Sequence, residues 1–295
     1  IWLITSWNTL GQPKKFNIVE LGPGDGSLTK ILLEVFKKFP EFNNAVNIFL
    51  HEKSNFLVKL QKKNINNSKI KWIKNYSGIK NGPIIFFGNE YFDSIPIKQF
   101  FRKGNSLLEK YYKLDNNNKI CEIFEESTSK NISQIKKFKV LKNLKFIEFP
   151  KLGLDEMEKI VKKITKLSGG ILLIDYGYLK PINKDTLQSV MGHKKNSLLK
   201  NLGNADITSL VNFSLLNEYF IKKKLKIKRV VAQKFFLEKM GIIERADILS
   251  KKMNFKEQSN LYLRLKRLLS AKLMGNLFKV MFAYKFKKNN FIGFK

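Results

Sequence analysis

Apolar runs alternate with segments of helical spacing over the first hundred residues of the chain. Uninterrupted apolar runs predict buried strands, and apolar residues three or four positions apart predict helices. The predicted strands span residues 16–21, 45–52, 69–73 and 83–92, and the predicted helices span 27–39 and about 55–63, the second after a Ser54 cap. Strands that are apolar throughout are covered on both faces. The alternation therefore predicts an α/β fold with a parallel sheet.

The rest of the chain carries a different pattern. Turn-forming residues at 103–105 and 115–118 predict an antiparallel hairpin or meander between 100 and 126. The elements predicted farther along are a helix at 154–167 ended by Gly169 and Gly170, a strand at 171–177, a loop to about 205, a helix at 206–220 capped by Asp206, strands at 225–233 and 278–285, and a helix at 257–273. We expect one domain over 1–295 with insertions at about 99–130 and 178–224. The apolar segment 1–7 resembles the end of a helix, so we expect an N-terminally truncated chain.

The first strand runs into a glycine loop with acids beside it. Gly22, Gly24 and Gly26 stand on alternate positions, which permits a tight turn and the close approach of a ligand to the backbone. A carboxylate at Glu20 or Asp25 would repel a pyrophosphate and would suit a cationic or zwitterionic ligand. A plain strand-to-helix turn is the alternative for the loop taken alone.

Glu52 follows the second strand and is placed to accept hydrogen bonds from ribose hydroxyls. A solvated acid at a strand end is the alternative interpretation. Together, the loop, the acid and the strand order indicate a site for a nucleoside that carries no diphosphate. S-adenosylmethionine fits this description, because it joins adenosine to a sulfonium cation and an amino-acid tail.

Composition narrows the classes of function. The 295 residues include 56 basic and 24 acidic side chains, which gives a formal net charge of +32. Five of the basic residues are arginines and the lysines are scattered, so we attribute the charge to compositional drift and do not expect nucleic acid as the partner. One cysteine excludes a disulfide framework and fits a reducing compartment, and no Cys/His spacing indicates a metal. No apolar run reaches the length of about 18 residues that a membrane span requires.

Several separate blocks, in order, resemble one family. The blocks are VELGPGDGSL, HEKSNFL, GNEYFDSIPIKQF, LLIDYGY, GHKKNSLLKNLGNADITSLVNFSLL and QKFFLEKMGI, from residue 2 to about 280. The chain resembles the MidA-type S-adenosylmethionine-dependent methyltransferases, which include an assembly factor that methylates an arginine of a respiratory complex I subunit. The resemblance implies the class I methyltransferase fold, a Rossmann-like seven-stranded sheet with β-hairpin and helical insertions and with the late strands as an antiparallel edge pair.

The resemblance also assigns cofactor-binding residues. Gly22, Gly24 and Gly26 would line the amino-acid tail of the cofactor, with Glu20 behind it. Glu52 would bind the ribose. Trp72 and Ile73, at the end of the third strand, would lie near the adenine, although a core role is an equal alternative for Trp72.

The candidate catalytic residues follow the fourth strand. Transfer to an arginine requires a carboxylate that orients the guanidinium and accepts its proton. We expect Glu90 and Asp93 to do this, with Asn89 orienting the acceptor; a turn-capping role is the alternative for Asp93. The residues expected to contact the substrate are Asp175, Tyr176 and His193, of which His193 has an ordinary surface position as its alternative.

Three functions remain open from the sequence. The first is a protein arginine N-methyltransferase that acts on an arginine-bearing protein such as a complex I subunit. The second is a methyltransferase that acts on RNA or on a small molecule, which the net charge favours. The third is a non-catalytic assembly chaperone that keeps a cofactor pocket. The expected location is the cytoplasm of a bacterium or, for a eukaryotic protein, the mitochondrial matrix.

Overall fold

The computed structural model of the chain describes residues 1–192 and 194–295, and these divide into two compact units. The first unit contains Ile1–Tyr91, Lys159–Tyr176 and Leu225–Lys295. The second unit contains Phe92–Glu158 and Gly177–Lys224, and both predicted insertions fall within it. The organisation of 1–295 as one methyltransferase domain stays a prediction.

The helices and strands of both units are numbered here in chain order. The helices are α1 (Trp2–Thr9), α2 (Ser27–Phe36), α3 (Pro40–Ala45), α4 (Asn55–Ile65), α5 (Ser129–Lys136), α6 (Lys151–Leu167), α7 (Phe213–Lys222), α8 (Gln233–Lys239), α9 (Ile242–Ser250), α10 (Phe255–Leu269) and α11 (Met274–Leu277), with a 3-10 turn at Lys139–Leu141. The strands are β1 (Phe16–Leu21), β2 (Val46–His51), β3 (Ile70–Ile73), β4 (Ile84–Asn89), β5 (Lys98–Lys103), β6 (Ser106–Leu114), β7 (Ile120–Glu126), β8 (Phe146–Phe149), β9 (Gly169–Tyr178), β10 (Gln188–Met191), β11 (Lys194–Asn196), β12 (Asp206–Thr208), β13 (Val211–Asn212), β14 (Lys226–Ile227), β15 (Val231–Ala232) and β16 (Phe278–Tyr284).

The central sheet has the strand order β14-β16-β9-β4-β1-β2-β3, and β13 and β15 pair with its members. Pairing is parallel from β9 through β4, β1 and β2 to β3, whereas β16 runs antiparallel to β9 and to β14. The α/β fold is therefore confirmed, and the late strands pair antiparallel as the resemblance implies. The described part of the sheet contains nine strands, of which seven form the continuous path.

Aromatic side chains make up much of the core that packs on this sheet in the first unit. All six residues of β1 are buried, including Asn17 and Glu20, as the apolar residues on both faces of the strand predict. Phe36 of α2 packs edge-on against Phe42 of α3 with ring centroids 4.8 Å apart, and Trp7 of α1 packs on the same ring at 5.5 Å. These contacts hold the helices that follow β1 against the sheet, which fixes where the glycine loop lies.

The second unit is built mainly from antiparallel strands. Its larger sheet has the order β7-β6-β5-β8, which confirms the meander predicted between 100 and 126. The β6–β7 turn closes because the Asp115 carboxylate accepts hydrogen bonds from the backbone N–H groups of Asn117 and Lys119, each at 2.8 Å. A smaller sheet has the order β11-β10-β12.

Two predictions in the second unit are wrong. The segment predicted as a loop to about residue 205 contains β10 and β11, which pair with one another. The helix predicted from Asp206 begins at Phe213, where Asn212 caps it by accepting a hydrogen bond from Leu215 N at 3.0 Å. Asp206 instead starts β12 opposite Val190. Strand pairing overrides the helical spacing here, and three β-branched residues, Ile207, Thr208 and Val211, favour it.

Several helix and strand boundaries in the first unit differ from those predicted from the sequence. The strand predicted at 225–233 is interrupted, so β14 and β15 pair separately with β16, and α8 starts at Gln233. Helices α8 and α9 were missed, and α10 begins at Phe255 behind a capping box formed by Asn254 and Glu257. Helix α6 ends before Ser168, whose left-handed φ of 60° breaks it, and the two glycines after it belong to β9. In the described residues, no helix is long and apolar enough to cross a bilayer.

Candidate functional site

Parallel strands of the first unit end together at one edge of the central sheet. The register aligns Leu21 of β1 with His51 of β2, and His51 with Ile73 of β3. Strand β4 ends at Asn89, opposite Ile174 of β9. The predicted residues at these strand ends are Gly22, Gly24, Gly26, Glu52, Trp72, Ile73, Asn89 and Glu90. Ligands of open α/β sheets bind at such an edge, so the sequence prediction and the topology point to the same place.

The glycine loop joins β1 to α2 and needs all three glycines. Gly22, Gly24 and Gly26 have φ values of 60°, 57° and 84°, a region that side-chain-bearing residues rarely adopt. A Cβ at Gly26 would lie 2.9 Å from Ile65 Cδ1, so this glycine lets α2 approach α4. A Cβ at Gly24 would meet nothing within 4 Å, which leaves the middle of the loop open to a ligand.

The two acids beside the loop have different surroundings. Asp25 is exposed, and its carboxylate accepts hydrogen bonds from Ser27 N at 2.9 Å and from Ser27 Oγ at 2.7 Å. These bonds lower the pKa of Asp25 and close the turn that starts α2. Glu20 is 4% exposed and accepts a hydrogen bond from the hydroxyl of Thr29 on α2. Burial raises the pKa of Glu20 to about 7, so its carboxyl group is partly protonated at neutral pH.

The Glu52 carboxylate is held from two sides. It follows β2, is 9% exposed, and accepts hydrogen bonds from Ser54 N at 2.8 Å and from Gln61 Nε2 at 3.3 Å. Ser54 is also the cap of α4, since its hydroxyl accepts a hydrogen bond from Leu57 N. The helix cap and the acid therefore form one small structure, which fixes where the carboxylate lies.

Gln61 connects residues that the sequence assigned to the site separately. The side chain is fully buried, and Nε2 donates to the Gly24 carbonyl at 2.8 Å as well as to Glu52. Its Oε1 accepts a hydrogen bond from Trp72 Nε1 at 3.0 Å. One amide thus joins the glycine loop, the strand-end acid and the aromatic residue of β3. Gln61 was not predicted from the sequence as a site residue, although this residue lies one turn before Ile65 on the buried face of α4.

Trp72 and Ile73 are half-buried at the end of β3. The Lys62 ammonium lies 5.5 Å from the centroid of the Trp72 ring, and the bond to Gln61 fixes the indole. Since the ring is neither fully buried nor free to turn, it presents an apolar surface near the Glu52 carboxylate.

The end of β4 carries a strained acid. Asn89 and Glu90 are exposed, and Glu90 has a left-handed φ of 50°. Its backbone N–H donates to Ile174 O at 2.9 Å, and Asn89 Nδ2 donates to Glu90 Oε1 at 3.5 Å. A residue other than glycine held at positive φ costs of order 1 kcal/mol or more, and such residues cluster at functional sites.

The next residue, Tyr91, packs against the glycine loop. A Cβ at Gly22 would lie 3.0 Å from Tyr91 Cδ2, and a Cβ at Gly88 would lie 2.9 Å from Tyr91 Cβ. The ring therefore occupies space that two glycines leave vacant. This contact brings the chain after β4 beside the loop after β1, and sequence analysis did not identify it.

The remaining predicted residues fall in different places. Asp93 is 5% exposed and belongs to the second unit, where its carbonyl accepts a hydrogen bond from Ser209 N at 3.1 Å. Asp175 and Tyr176 lie inside β9, which continues to Tyr178. Asp175 is 2% exposed, and Tyr176 packs on Phe278 with centroids 5.4 Å apart. His193 lies outside the described residues. Within residues 1–192 and 194–295, no group of three or more His, Cys, Asp or Glu could hold a metal ion.

The buried Glu20 carboxyl group predicts a pH-dependent stability. Between its ordinary value of 4.5 and about 7, the unfolded chain has released the proton that the folded chain keeps. The free energy of unfolding therefore falls as pH rises through this window, by roughly 3 kcal/mol, since each tenfold difference in proton affinity is worth about 1.4 kcal/mol. Urea unfolding at a series of pH values measures this slope.

Glu20→Gln removes the titrating group and keeps an acceptor for Thr29. We expect its free energy of unfolding to decline less between pH 4.5 and 7 than that of the wild-type protein, with the raised pKa of the buried Glu148 as a remaining contribution. Glu34→Gln, at an exposed position of α2, is the matched control and should keep the wild-type decline. Equal slopes for wild type and Glu20→Gln would contradict the burial argument.

The hydrogen bonds of Gln61 predict a large cost for replacing it. Gln61→Leu keeps the volume but leaves the buried Glu52 carboxylate without this donor, and it removes the partner of the part-buried bonds from Gly24 O and Trp72 Nε1. Because each such group costs about 1–3 kcal/mol, we expect a loss of roughly 2–4 kcal/mol in urea unfolding. Gln188→Leu, at an exposed position of β10, should cost under about 0.5 kcal/mol. Similar small losses in both variants would show that the Gln61 amide does not hold the site together.

Comparisons with known proteins agree with this architecture. The chain is 27% identical to "Protein arginine methyltransferase NDUFAF7 homolog, mitochondrial" from Caenorhabditis elegans, a match that covers 83% of this chain and 62% of the relative. It is 25% identical to the Homo sapiens protein arginine methyltransferase NDUFAF7, mitochondrial, with 86% and 62% covered. The chain thus spans less than two thirds of the length of these relatives.

Two crystal structures from Burkholderia thailandensis share the fold. One, bound to S-adenosyl-homocysteine, has a TM-score of 0.80 at 17% identity and covers 99% of this chain and 76% of its own. The other has a TM-score of 0.79 at 18% identity and covers 100% and 78%. The family described as "Putative S-adenosyl-L-methionine-dependent methyltransferase" matches residues 1–231. The resemblance stated from the sequence is therefore confirmed, and the chain belongs to this family of S-adenosylmethionine-dependent methyltransferases.

Proposed function

We propose that the chain binds S-adenosylmethionine at the carboxyl edge of the first unit and transfers its methyl group to an arginine of a protein. The observation that carries the proposal is the cluster held by Gln61, in which an open glycine loop, a fixed carboxylate and an indole lie together. The names of the relatives, protein arginine methyltransferases, support the acceptor class.

The residues present fit this cofactor. The Glu52 carboxylate can accept hydrogen bonds from ribose hydroxyls, and Trp72 offers an apolar face for the adenine, with Ile73 beside it in β3. The loop between Gly22 and Gly26 leaves room for an amino-acid tail at Gly24. The exposed Asp25 carboxylate in the loop disfavours a pyrophosphate, which separates this site from a dinucleotide site.

The cofactor supplies an activated methyl group when it is bound. The protein has to align the acceptor and remove its proton. On transfer, a guanidino nitrogen would take the methyl group, and the sulfur would keep the electron pair of the carbon–sulfur bond. The nitrogen then loses a proton, and we assign Glu90 as its acceptor because this exposed carboxylate ends the apolar strand β4 in a fixed, left-handed conformation.

Other predicted residues take supporting roles in this proposal. Asn89, which donates to Glu90, orients that carboxylate. Asp93, the second carboxylate expected to act on the guanidinium, stays a candidate for that role, and Asp175, Tyr176 and His193 stay candidates for contact with the substrate. We assign them no step.

The substrate and the location are part of the proposal. We infer an arginine-bearing protein substrate, with a subunit of respiratory complex I as the example that the family resemblance implies. The names of these relatives place them in mitochondria. For this chain we propose the mitochondrial matrix if it is eukaryotic and the cytoplasm if it is bacterial, with 1–295 acting as one methyltransferase domain.

Replacing Glu90 tests the proposed chemistry. The experiment incubates the protein with S-adenosylmethionine labelled on its methyl group and with an extract of the source cells. We expect label on protein, released as methylarginine by acid hydrolysis. Because general-base catalysis contributes about 10²–10⁴-fold, we expect Glu90→Gln to lose at least about a hundredfold in rate. Binding of S-adenosylhomocysteine should stay within a few-fold of wild type.

The control and the opposing outcomes separate the alternatives. Glu244→Gln removes an exposed acid of α9 and should keep the wild-type rate. Label that ribonuclease removes and protease spares would contradict a protein substrate and favour RNA. Absence of label with intact cofactor binding would favour a chaperone that keeps its pocket.

A further inference from the structure

A stretch of the second unit carries positive charge alone. Residues 127–147 contain no Asp or Glu, although Glu126 and Glu148 stand directly on either side. The lysines within this stretch are Lys130, Lys136, Lys137, Lys139, Lys142 and Lys145. The segment folds as α5, a 3-10 turn and the entry to β8, so its charges are held on ordered backbone.

Part of this stretch lines a cavity of about 450 Å³ together with β5. The cations around the cavity, which we call the basic cavity, are Arg102, Lys136, Lys139 and Lys142. Its floor includes Ile135 and Leu141, which are 2% and 1% exposed. No acidic residue lines the basic cavity among the described residues. The site therefore combines a concave shape, an apolar floor and a rim of one sign of charge.

A neighbouring cavity of about 350 Å³ in the same unit shows the contrast. There, Lys151 pairs with Asp155 at 2.7 Å, Lys223 pairs with Glu158, and Lys222 pairs with Glu218 at 3.0 Å. In the basic cavity, none of the four cations forms an ion pair within 4.0 Å with any described residue. A lysine-rich composition alone does not account for this difference, because lysines line both cavities.

An acid that contacts this segment is already engaged. Glu218 of α7 accepts hydrogen bonds from the backbone N–H groups of Lys139 and Val140, at 2.9 and 3.0 Å, and pairs with Lys222. The Arg102 guanidinium donates through Nε to Leu144 O at 3.2 Å, which anchors the group beside the cavity. Four like charges around one concavity repel one another, and an anion seated between them relieves this repulsion.

We propose that the basic cavity is a binding site for a small phosphate ester, separate from the proposed methyl-transfer site. The volume lies in the range of small-molecule sites, about 300–1,000 Å³. An anchored guanidinium offers the planar fork that suits phosphate oxygens, and the lysines add charge around it. The apolar floor fits an ester that carries a hydrophobic body better than a free inorganic anion.

Calorimetric titration of the full chain at constant ionic strength tests the proposal. The probes are phenyl phosphate, inorganic phosphate and a single-stranded oligouridylate. We expect saturable one-to-one binding of phenyl phosphate, tighter than that of inorganic phosphate. Since charge-assisted hydrogen bonds to phosphate are the strong ones, the triple variant Lys136→Gln, Lys139→Gln, Lys142→Gln should weaken binding by about tenfold or more.

The control variant keeps the same change in net charge. Lys251→Gln, Lys252→Gln, Lys256→Gln removes three exposed lysines of the first unit that do not line the basic cavity, and it should bind phenyl phosphate within about twofold of wild type. A second variant, Arg102→Lys, keeps the charge, loses the fork, and should bind more weakly. Equal losses in both triple variants, or no saturable binding of phenyl phosphate, would overturn the proposal. Oligouridylate binding in place of phenyl phosphate binding would also overturn it and indicate an RNA surface.

Discussion

The side-chain amide of Gln61 is the interaction on which the candidate site depends. Three elements meet there that are far apart in sequence: the loop after β1, the acid after β2 and the indole of β3. Each could adopt other arrangements alone, because a glycine loop is flexible and a strand-end carboxylate is normally solvated. A fully buried amide with bonds at 2.8 and 3.0 Å to the loop and the indole removes that freedom. Buried polar networks of this kind specify one geometry, since leaving any member unsatisfied is costly.

The second constraint is the close approach of backbone at the sheet edge. The left-handed glycines let α2 pack on α4 and let the Tyr91 ring lie against Gly22. This approach places the end of β4, with the strained Glu90, beside the loop that follows β1. The buried Glu20 accepts a hydrogen bond from Thr29, so an acid that the sequence assigned to the cofactor site also links β1 to α2. Burial at that position raises the pKa of Glu20.

Much of the first unit could be predicted from the sequence because its strands are apolar on both faces. Apolar residues on both faces, as in β1 and β4, indicate buried strands. Because these strands are parallel, their carboxyl ends lie at one edge of the sheet. The candidate residues at this edge were predicted from the glycines and acids that follow the strands, and the structure places several of them at the strand ends. Gln61 could not be found this way, because a glutamine within an amphipathic helix is normally solvated and only its tertiary partners reveal its role. The strands β10–β12 were missed for a related reason: short edge pairings depend on their partners more than on local pattern.

The central claim is that the carboxyl edge of the first unit holds an adenosine cofactor without a diphosphate. Calorimetric titration of the full chain with S-adenosylhomocysteine, and in parallel with NADH, tests it most directly. The account predicts saturable one-to-one binding of S-adenosylhomocysteine, sharply weakened by Glu52→Gln, and no saturable binding of NADH. Binding of NADH at this site, or S-adenosylhomocysteine binding that is indifferent to Glu52→Gln, would contradict it.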